Sequence, residues 1–431
     1  MKLMLRNEIK KECDGFIEYI DRCHTPYHSV SYFSELLEQA GACRLYEEHE
    51  WDIEPDRVDY VVKGGTLLSV FRISSENMPL SSGFRIAAAH HDVPGFRVKP
   101  AVSTVDGGYE RLTLEPYGGL IHHGWLDRPL SCAGRIYYNS AIGTDYVDFD
   151  LQKPVAVIPS AAIHMVGEVN EGAKFDLQTE IRPFVGQPEE GCAEFLRYVA
   201  DHAGVDIEDI LSFDMMMYDA SPAEYIGINE EFISSPGLDD CEMAYSVISA
   251  ILSDELADES FVAFIYDHEE CGSASDRGAQ SSIFVDMIER ICQKMGCNKE
   301  EYCRIMAKSV VFSADMAHAS HPSYMQKSDP NTIVSLNKGP VLKINSNQSY
   351  ASSAAGSAFF KKLCKDNGIP YQEYVNRSTA RGGRTIGPML SAMGGVLTVD
   401  IGNPMLAMHA VREFGGTADI YHMRRLFSAF L

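Results

Sequence analysis

Residues 264–275 read FIYDHEECGSAS and join an apolar run to a cluster of charge. The run, Phe264 to Tyr266, has the composition of a buried strand, and four ionisable side chains follow it directly. Two of them, Glu269 and Glu270, are adjacent carboxylates, and burying neighbouring carboxylates without partners is energetically costly. The stretch therefore predicts a buried strand with functional side chains at its end.

On both sides of this stretch, short apolar runs alternate with long helical patterns. Beyond residue 233 the apolar runs are FVAFIYD (261–267), SVVFSAD (309–315) and VLTVDIG (396–402). Near the N terminus, helical spacing over residues 7–40 precedes predicted strands at 58–63, 66–72 and 84–89. Such alternation is typical of an α/β/α sandwich with a mixed, largely parallel sheet.

The segment between residues 95 and 232 has a different character. Glycine and proline separate short strand-like pieces, and one helix-like stretch, AEFLRYVADHAG, interrupts them. The strand-like pieces are YERLTLEP, AGRIYYNS, KPVAVIP and KFDLQTEIRP. We therefore predict a discontinuous α/β domain, residues 1–94 and 233–431, with an inserted β-rich domain at 95–232.

The composition excludes several classes of protein. The net charge of −24 argues against nucleic-acid binding, which needs a basic surface. No apolar run approaches the ~20 residues that cross a bilayer, and the N-terminal residues lack the apolar segment of a signal peptide. The eleven cysteines are scattered without CxxC pairs, so they are predicted to be reduced thiols. A cytoplasmic protein that binds neither membrane nor nucleic acid is expected.

Five segments end in histidine or carboxylate side chains, and ligands bind beyond the carboxyl ends of strands in α/β sheets. These residues are His90, His91 and Asp92; Asp239 and Asp240; Glu269 and Glu270; Asp315; and His409. Histidine and carboxylate without cysteine suit Zn, Mn or Co. The number of candidates exceeds what one ion needs, which suggests two ions about 3.5–4 Å apart with a bridging carboxylate.

Each of these residues also has a purely structural interpretation. Taken alone, the segment 90–92 is more typical of a surface turn, while Asp239, Asp240 and Asp315 could cap helices. His409 lies in the apolar stretch MLAMHAV, where a hydrogen-bonded core histidine is common. Only the combination of five segments favours a metal site. In that interpretation one of Glu269 and Glu270 binds metal, and the other takes a proton from the attacking water.

The motifs around these residues resemble the M18 family of metallopeptidases, the aspartyl aminopeptidases, over nearly the whole chain. In family order they are AAAHHDVPGFRVKP (87–100), YGGLIHHGWLDRPL (117–130), SSPGLDD (234–240), DHEECGS (267–273), SADMAHA (313–319), KGPVLKINSNQSYAS (338–352), TIGPML (385–390) and PMLAMHAVRE (404–413). The resemblance implies a zinc-exopeptidase-like fold and an aminopeptidase that acts on peptides with a free N terminus.

The resemblance also implies a role for each matching residue. His90 and Asp315 would hold one metal, Glu270 and His409 the other, and Asp239 would bridge them. Asp92 would orient His90, and Glu269 would be the general base. Two divalent ions per subunit are implied, with zinc as the expected metal and manganese or cobalt as alternatives.

Two further residues match family positions that bind substrate. Lys343 corresponds to a lysine that faces an acidic first side chain, which implies a preference for N-terminal Asp or Glu. His164, in the insertion, corresponds to a histidine that reaches the neighbouring subunit's site in dimers that build a dodecamer. The alternatives are an aminopeptidase of the same site with neutral or broad specificity, a deblocking peptidase of the M42 type, or an inactive assembly protein.

Four positions depart from the family pattern. His91 stands where Thr is usual, Gly237 where Arg is, Asp240 where Asn is, and Thr379 where Asp is expected. Arg381 and Arg384 make the surrounding loop unusually basic. None of these positions is an expected metal ligand, so the departures bear on substrate preference.

Overall fold

The computed structural model describes residues 2–167, 170–172, 174–188, 192–380 and 382–431. No helix within these ranges has both the length and the apolar character needed to cross a bilayer. The helices are α1 (Lys2–Arg22), α2 (Pro26–Gln39), α3 (Pro79–Ser82), α4 (Phe195–Ala203), α5 (Leu238–Ile251), α6 (Ile283–Lys294), α7 (Lys299–Lys308), α8 (Ala354–Asp366), α9 (Gly387–Gly394) and α10 (Thr417–Phe430). Short 3₁₀ turns occur at His122–Trp125, Ile207–Asp209 and Pro322–Lys327.

The strands form three sheets. They are β1 (Cys43–Leu45), β2 (Val58–Lys63), β3 (Leu67–Arg72), β4 (Arg85–His90), β5 (Gly95–Asp106), β6 (Tyr109–Tyr117), β7 (Leu130–Ser140), β8 (Gly143–Asp150), β9 (Phe184–Gly186), β10 (Ile210–Asp219), β11 (Glu224–Ile226), β12 (Phe232–Ser235), β13 (Phe261–Tyr266), β14 (Val310–Ala314), β15 (Ala317–His318), β16 (Val341–Ile344), β17 (Gln372–Val375), β18 (Leu397–Gly402), β19 (Pro404–Leu406) and β20 (Glu413–Gly416).

The largest sheet has nine strands in the order β1-β2-β3-β13-β4-β14-β18-β16-β17. Its centre consists of β13, β4, β14 and β18, and each of these strands pairs in parallel with the next. The antiparallel pairs lie to either side, between β2 and β3, between β3 and β13 and between β18 and β16. The prediction of a mixed, largely parallel sheet is therefore confirmed at its centre, where four strands end at the same edge.

Both faces of this sheet are covered by helices. In β13, Phe261, Ala263 and Ile265 contact the apolar layer that includes α1, α2, α5, α8 and α10. The alternate residues Val262, Phe264 and Tyr266 contact the layer of α6, α7 and α9. A strand covered on both faces must be apolar at every position, which is why FVAFIY is a continuous apolar run. The structure is the predicted α/β/α sandwich.

The second sheet has six antiparallel strands in the order β8-β7-β10-β5-β6-β9, and all of them lie between residues 95 and 219. The strands predicted at YERLTLEP and AGRIYYNS are confirmed as β6 and β7, and the predicted helix as α4. The strand predicted over KFDLQTEIRP is wrong. There the Asp176 carboxylate accepts a hydrogen bond from the Gln178 backbone at 2.9 Å, and local bonds of this kind replace a strand ladder.

The third sheet, β11-β12-β20-β19-β15, joins strands that are far apart in the sequence. It carries the loop between β19 and β20, which contains His409. The change from the second sheet to the third falls between Asp219 and Glu224, whereas the expected boundary is at 232/233. The division into domains stays a prediction.

Gly402 at the end of β18 provides a test of this packing, because a Cβ there would lie 1.8 Å from the backbone oxygen of Asp315. Gly402→Ala must displace one of the two central strands, and overpacking of this kind costs about 2 kcal/mol. We expect urea unfolding to show that loss. The control Gly167→Ala places its Cβ more than 4 Å from every described atom outside its chain neighbours and should leave stability unchanged. Equal stability of the two variants would contradict the tight contact.

Candidate functional site

The parallel centre of the large sheet brings the predicted strand-end residues together. The strand β4 ends at His90, β13 leads into residues 267–270, and β14 leads into Asp315. Asp239 reaches the same edge from the first turn of α5, just after Gly237. Gly237 has a φ of 62°, a conformation that glycine adopts readily, and a Cβ there would lie 3.0 Å from Val93. Glycine at this position, where the family usually has Arg, therefore fits the backbone.

Glu413 fixes the loop that carries His409. Its Oε1 accepts a hydrogen bond from the His409 backbone at 2.6 Å, and its Oε2 accepts one from the Asp239 backbone at 3.0 Å. One buried carboxylate thus positions two candidate ligands from distant parts of the chain. Glu413 was not assigned a role from sequence, although it closes the motif PMLAMHAVRE.

The imidazoles and carboxylates approach one another closely. The Nε2 of His90 lies 3.7 Å from Asp239 Oδ1, and the Nε2 of His409 lies 3.4 Å from Asp239 Oδ2. His409 Nε2 is also 3.5 Å from Glu270 Oε1. Ligand atoms of His90, Asp239 and Glu270 all lie within 4.8 Å of one another. The two oxygens of Asp239 therefore face different histidines.

Asp92 stabilises this arrangement through hydrogen bonds to its neighbours. His90 Nδ1 lies 3.1 Å from the Asp92 backbone oxygen, which leaves Nε2 directed toward Asp239. The Asp92 carboxylate accepts hydrogen bonds from the backbones of Glu269 and Glu270, each at 3.1 Å, and from the Tyr117 hydroxyl at 2.6 Å. Burial opposes ionisation of Asp92, but the bond and charge of His90 hold its pKa well below the usual range. Tyr117 ends β6, so the second sheet also supports the site.

The buried carboxylates fit a cation. Burial, together with the neighbouring Asp239 carboxylate, raises the pKa of Glu270 to about 10, and burial raises that of Glu269 to about 7. Asp239 Oδ1 is buried and has no hydrogen-bond partner among the described residues. A divalent ion would offset this repulsion, and a donor set of imidazole nitrogen and carboxylate oxygen suits zinc.

A cavity of about 320 Å³, here called the central cavity, opens onto these side chains. His90, Asp239, Glu269, Glu270, Asp315 and His409 line it together with Lys343, Tyr350, His318, Tyr374, Arg384 and Thr385. Lys343 is only 3% exposed, and its Nζ lies 3.1 Å from Asp315 Oδ1. His318 and Tyr350 were not singled out from sequence, although His318 follows Asp315 by three residues in SADMAHA.

The remaining predicted residues lie outside this cavity. His164 is on an exposed turn and is not among the lining side chains. His91 is buried, and its imidazole contacts Ser29 Oγ at 2.9 Å and the Thr66 oxygen at 2.6 Å, away from the candidate ligands. Asp240 is also buried and accepts a hydrogen bond from the His90 backbone at 3.2 Å.

Of the loop residues that depart from the family pattern or add positive charge, Thr379 is exposed and Arg384 lines the central cavity. Arg381 lies outside the described residues.

Comparison with known proteins identifies the family of this chain. The family model described as aminopeptidase I zinc metalloprotease (M18) matches residues 19–431. A protein named "Probable M18 family aminopeptidase 2" from Clostridium acetobutylicum is 37% identical over 432 residues, covering 99% of this chain and 99% of that protein. A protein of the same name from Pseudomonas aeruginosa is 37% identical over 423 residues, covering 96% and 97%.

Solved structures lead to the same family. A chain in the cryo-EM structure of the Ape4 and Nbr1 complex matches with a TM-score of 0.94 and 33% identity, covering 98% of this chain and 85% of that one. A chain of the S. cerevisiae mApe1 dodecamer matches with a TM-score of 0.84 and 27% identity, covering 97% and 95%. The chain therefore belongs to the M18 family of zinc metalloproteases and is a metalloaminopeptidase.

Proposed function

We propose that this metalloaminopeptidase uses two metal ions and prefers peptides that begin with Asp or Glu. The observation that carries the proposal is the position of Lys343. Its buried ammonium shares the central cavity with the candidate metal ligands, so it can contact the first side chain of a substrate bound there. A buried cation favours a carboxylate through a charge-assisted hydrogen bond.

His90 and Asp315 would hold one metal, Glu270 and His409 the other, and Asp239 would bridge the two. The support is that the oxygens of Asp239 face different histidines, at 3.7 Å and 3.4 Å. Zinc is the expected ion because of the family, and the same donors accept manganese or cobalt. Bound metals would supply Lewis-acid chemistry, which would make the attacking water more acidic and polarise the scissile carbonyl.

Glu269 would act as the general base. It lines the central cavity, while its backbone is held by the Asp92 carboxylate. From this position the Glu269 carboxylate takes a proton from the attacking water and then delivers it to the departing amine. Asp92 acts on His90 and on the backbones of residues 269 and 270, so its role is to position these groups.

The ion pair between Lys343 and Asp315 is compatible with binding an acidic residue. The Lys343 ammonium lies 3.1 Å from Asp315 Oδ1, so the two charges offset each other. If Asp315 ligates a cation, its charge is shared with that cation and the Lys343 ammonium can pair with substrate. The net charge of −24 does not prevent this, since screening weakens a long-range field more than a contact in a buried cavity.

Replacing Lys343 by methionine tests the preference. Wild-type enzyme supplied with Zn, Mn or Co should cleave Asp and Glu chromogenic substrates faster than Leu, Ala or Lys substrates. Lys343→Met should lower kcat/KM at least ~10-fold for Asp and Glu, because a hydrogen bond to a charged group contributes about 1.5–3 kcal/mol, and it should spare Leu.

Lys361→Met is the matched control, because Lys361 pairs with Glu373 on the surface and does not line the cavity. The metal content of both variants should be measured to separate lost specificity from lost metal. A clear preference of the wild-type enzyme for Leu over Asp and Glu would contradict acidic specificity. It would favour the alternative of broad or neutral specificity.

We also infer a homo-oligomer in which dimers build a dodecamer. A relative of similar fold is described as a dodecamer, and His164 lies on an exposed turn where a neighbouring subunit could receive it. In such an assembly, His164 would bind substrate in the site of the adjacent subunit.

A further inference from the structure

A second cavity of about 310 Å³, here called the distal cavity, adjoins the central cavity. His318, Tyr374 and Gly383 line both cavities, so these residues form the boundary between them. The rings of His318 and Tyr374 meet edge to face there, with their centroids 6.4 Å apart. The distal cavity has no part in the mechanism described above.

The charge of the distal cavity is opposite to that of the chain. Its lining includes Lys327, Arg377, His318 and His321 but no Asp or Glu, although the chain carries a net charge of −24. Within the described residues, no carboxylate lies within ion-pairing distance of Lys327 or Arg377. Lys327 and Arg377 are both exposed, so their charges are available to a ligand that enters the cavity. Two unpaired cations in one concave surface favour an anionic ligand.

A neutral polar group in the same wall also lacks a partner. The Oδ1 and Nδ2 atoms of Asn376 are shielded from solvent, and neither makes a hydrogen bond with any described residue. Gly382 lies directly against this carboxamide, since a Cβ at residue 382 would lie 1.8 Å from Nδ2. An amide with no partner among the described residues can bond to a peptide backbone, which offers both a donor and an acceptor.

We propose that the distal cavity binds the part of the peptide that follows the scissile bond, and that Lys327 and Arg377 bind a carboxylate in it. This inference rests on the proposed function, because it takes the first residue to occupy the central cavity. Because the two cavities share the boundary formed by His318 and Tyr374, the residues after the first would pass it to enter the distal cavity.

Two different parts of a peptide can supply this carboxylate. One is the terminal carboxylate of a short peptide, and the other is an Asp or Glu side chain in the second or third residue. A guanidinium and an ammonium bind either form, and an arginine can do so through two parallel hydrogen bonds. The enzyme would therefore prefer short or acidic peptides beyond its preference for the first residue.

The test compares substrates that share one first residue, whichever the wild-type enzyme cleaves best. The substrates are a tripeptide with a free C terminus, the same tripeptide as its amide, an amidated tripeptide with Glu in the third position, and the aminoacyl nitroanilide. The variant is the double substitution K327Q with R377Q. The control, K299Q with R304Q, makes the same charge change on the surface helix α7, where both side chains form ion pairs.

The double variant should lower kcat/KM at least ~10-fold for the carboxylate-bearing tripeptides and leave the nitroanilide within about twofold, as expected for lost charge-assisted bonds. A loss on the free tripeptide alone assigns the cavity to the terminal carboxylate, and a loss on the Glu amide alone assigns it to side chains. An equal loss on every substrate, or no loss on any peptide, overturns the inference. Because the first residue is held constant, these results do not depend on whether that residue is acidic.

Discussion

Glu269→Gln is expected to lower kcat at least ~10²-fold while the enzyme keeps its metal, since a positioned general base contributes about 10²–10⁴-fold. Glutamine has nearly the shape of glutamate and keeps the backbone bond to Asp92, but it cannot accept the water's proton. Glu269 lines the central cavity beside Glu270, His90 and Asp239. Steady-state kinetics on the best substrate, together with metal analysis of the same samples, measure the effect.

The matched control is Glu48→Gln, an exposed carboxylate outside the central cavity. It removes the same charge and should retain wild-type kinetics. If Glu269→Gln kept the wild-type rate at unchanged metal content, the general base would have to be another group. If the variant lost metal as well as activity, Glu269 would act as a ligand, and the two glutamates would have to exchange roles.

The strand ends could be predicted from sequence because the signal is local. A buried parallel strand is a continuous apolar run, and the first polar residue after it marks the end that carries ligands. The runs before His90, Asp267 and Asp315 all became neighbouring strands of the parallel centre. Their order in the sheet was not predictable, because the sheet pairs β13 with β4 and β4 with β14 across long stretches of sequence.

The supporting residues were harder to find because their roles depend on contacts between distant segments. Glu413 is useful only because its two oxygens reach the backbones of Asp239 and His409, and His409 itself has a φ of 66°. No periodicity in the sequence announces such a loop. Lys343 was found only through its match to the family, because its burial beside Asp315 follows from the position of β16 next to β18.

The failed strand over residues 174–183 has a local cause. The segment alternates apolar and polar residues, but Asp176 and Glu180 each bond to nearby backbone, at 2.9 Å and 2.6 Å, and close a turn. Side chains of this kind compete with sheet hydrogen bonds. The alternation of apolar and polar residues gives no sign of this competition. The basic loop around Arg384 shows the converse: its charge was visible in sequence, but the unpaired cations of the distal cavity appeared only when Lys327 and Arg377 came together.

Asp239→Asn is expected to lower kcat strongly, because it weakens metal binding. Its Oδ1 faces His90 and its Oδ2 faces His409, so its loss should reduce the bound metal from the proposed two ions per subunit to one or none. An amide offers one neutral oxygen in place of two that share a negative charge, and it cannot bridge two cations well. Removing metal assistance worth several kcal/mol corresponds to a loss of roughly 10³-fold or more in kcat.

Asp267→Asn is the control for the same chemical change at a neighbouring strand end. Asp267 is buried and accepts a hydrogen bond from the Thr66 hydroxyl at 2.6 Å, but it does not line the central cavity. Metal analysis of both variants after dialysis should show wild-type stoichiometry for Asp267→Asn only. Two ions and full activity in Asp239→Asn would contradict the bridge. One ion in the wild-type enzyme would instead contradict the dinuclear site and leave Asp239 as an ordinary ligand, so the stoichiometry separates a failed bridge from a failed second metal.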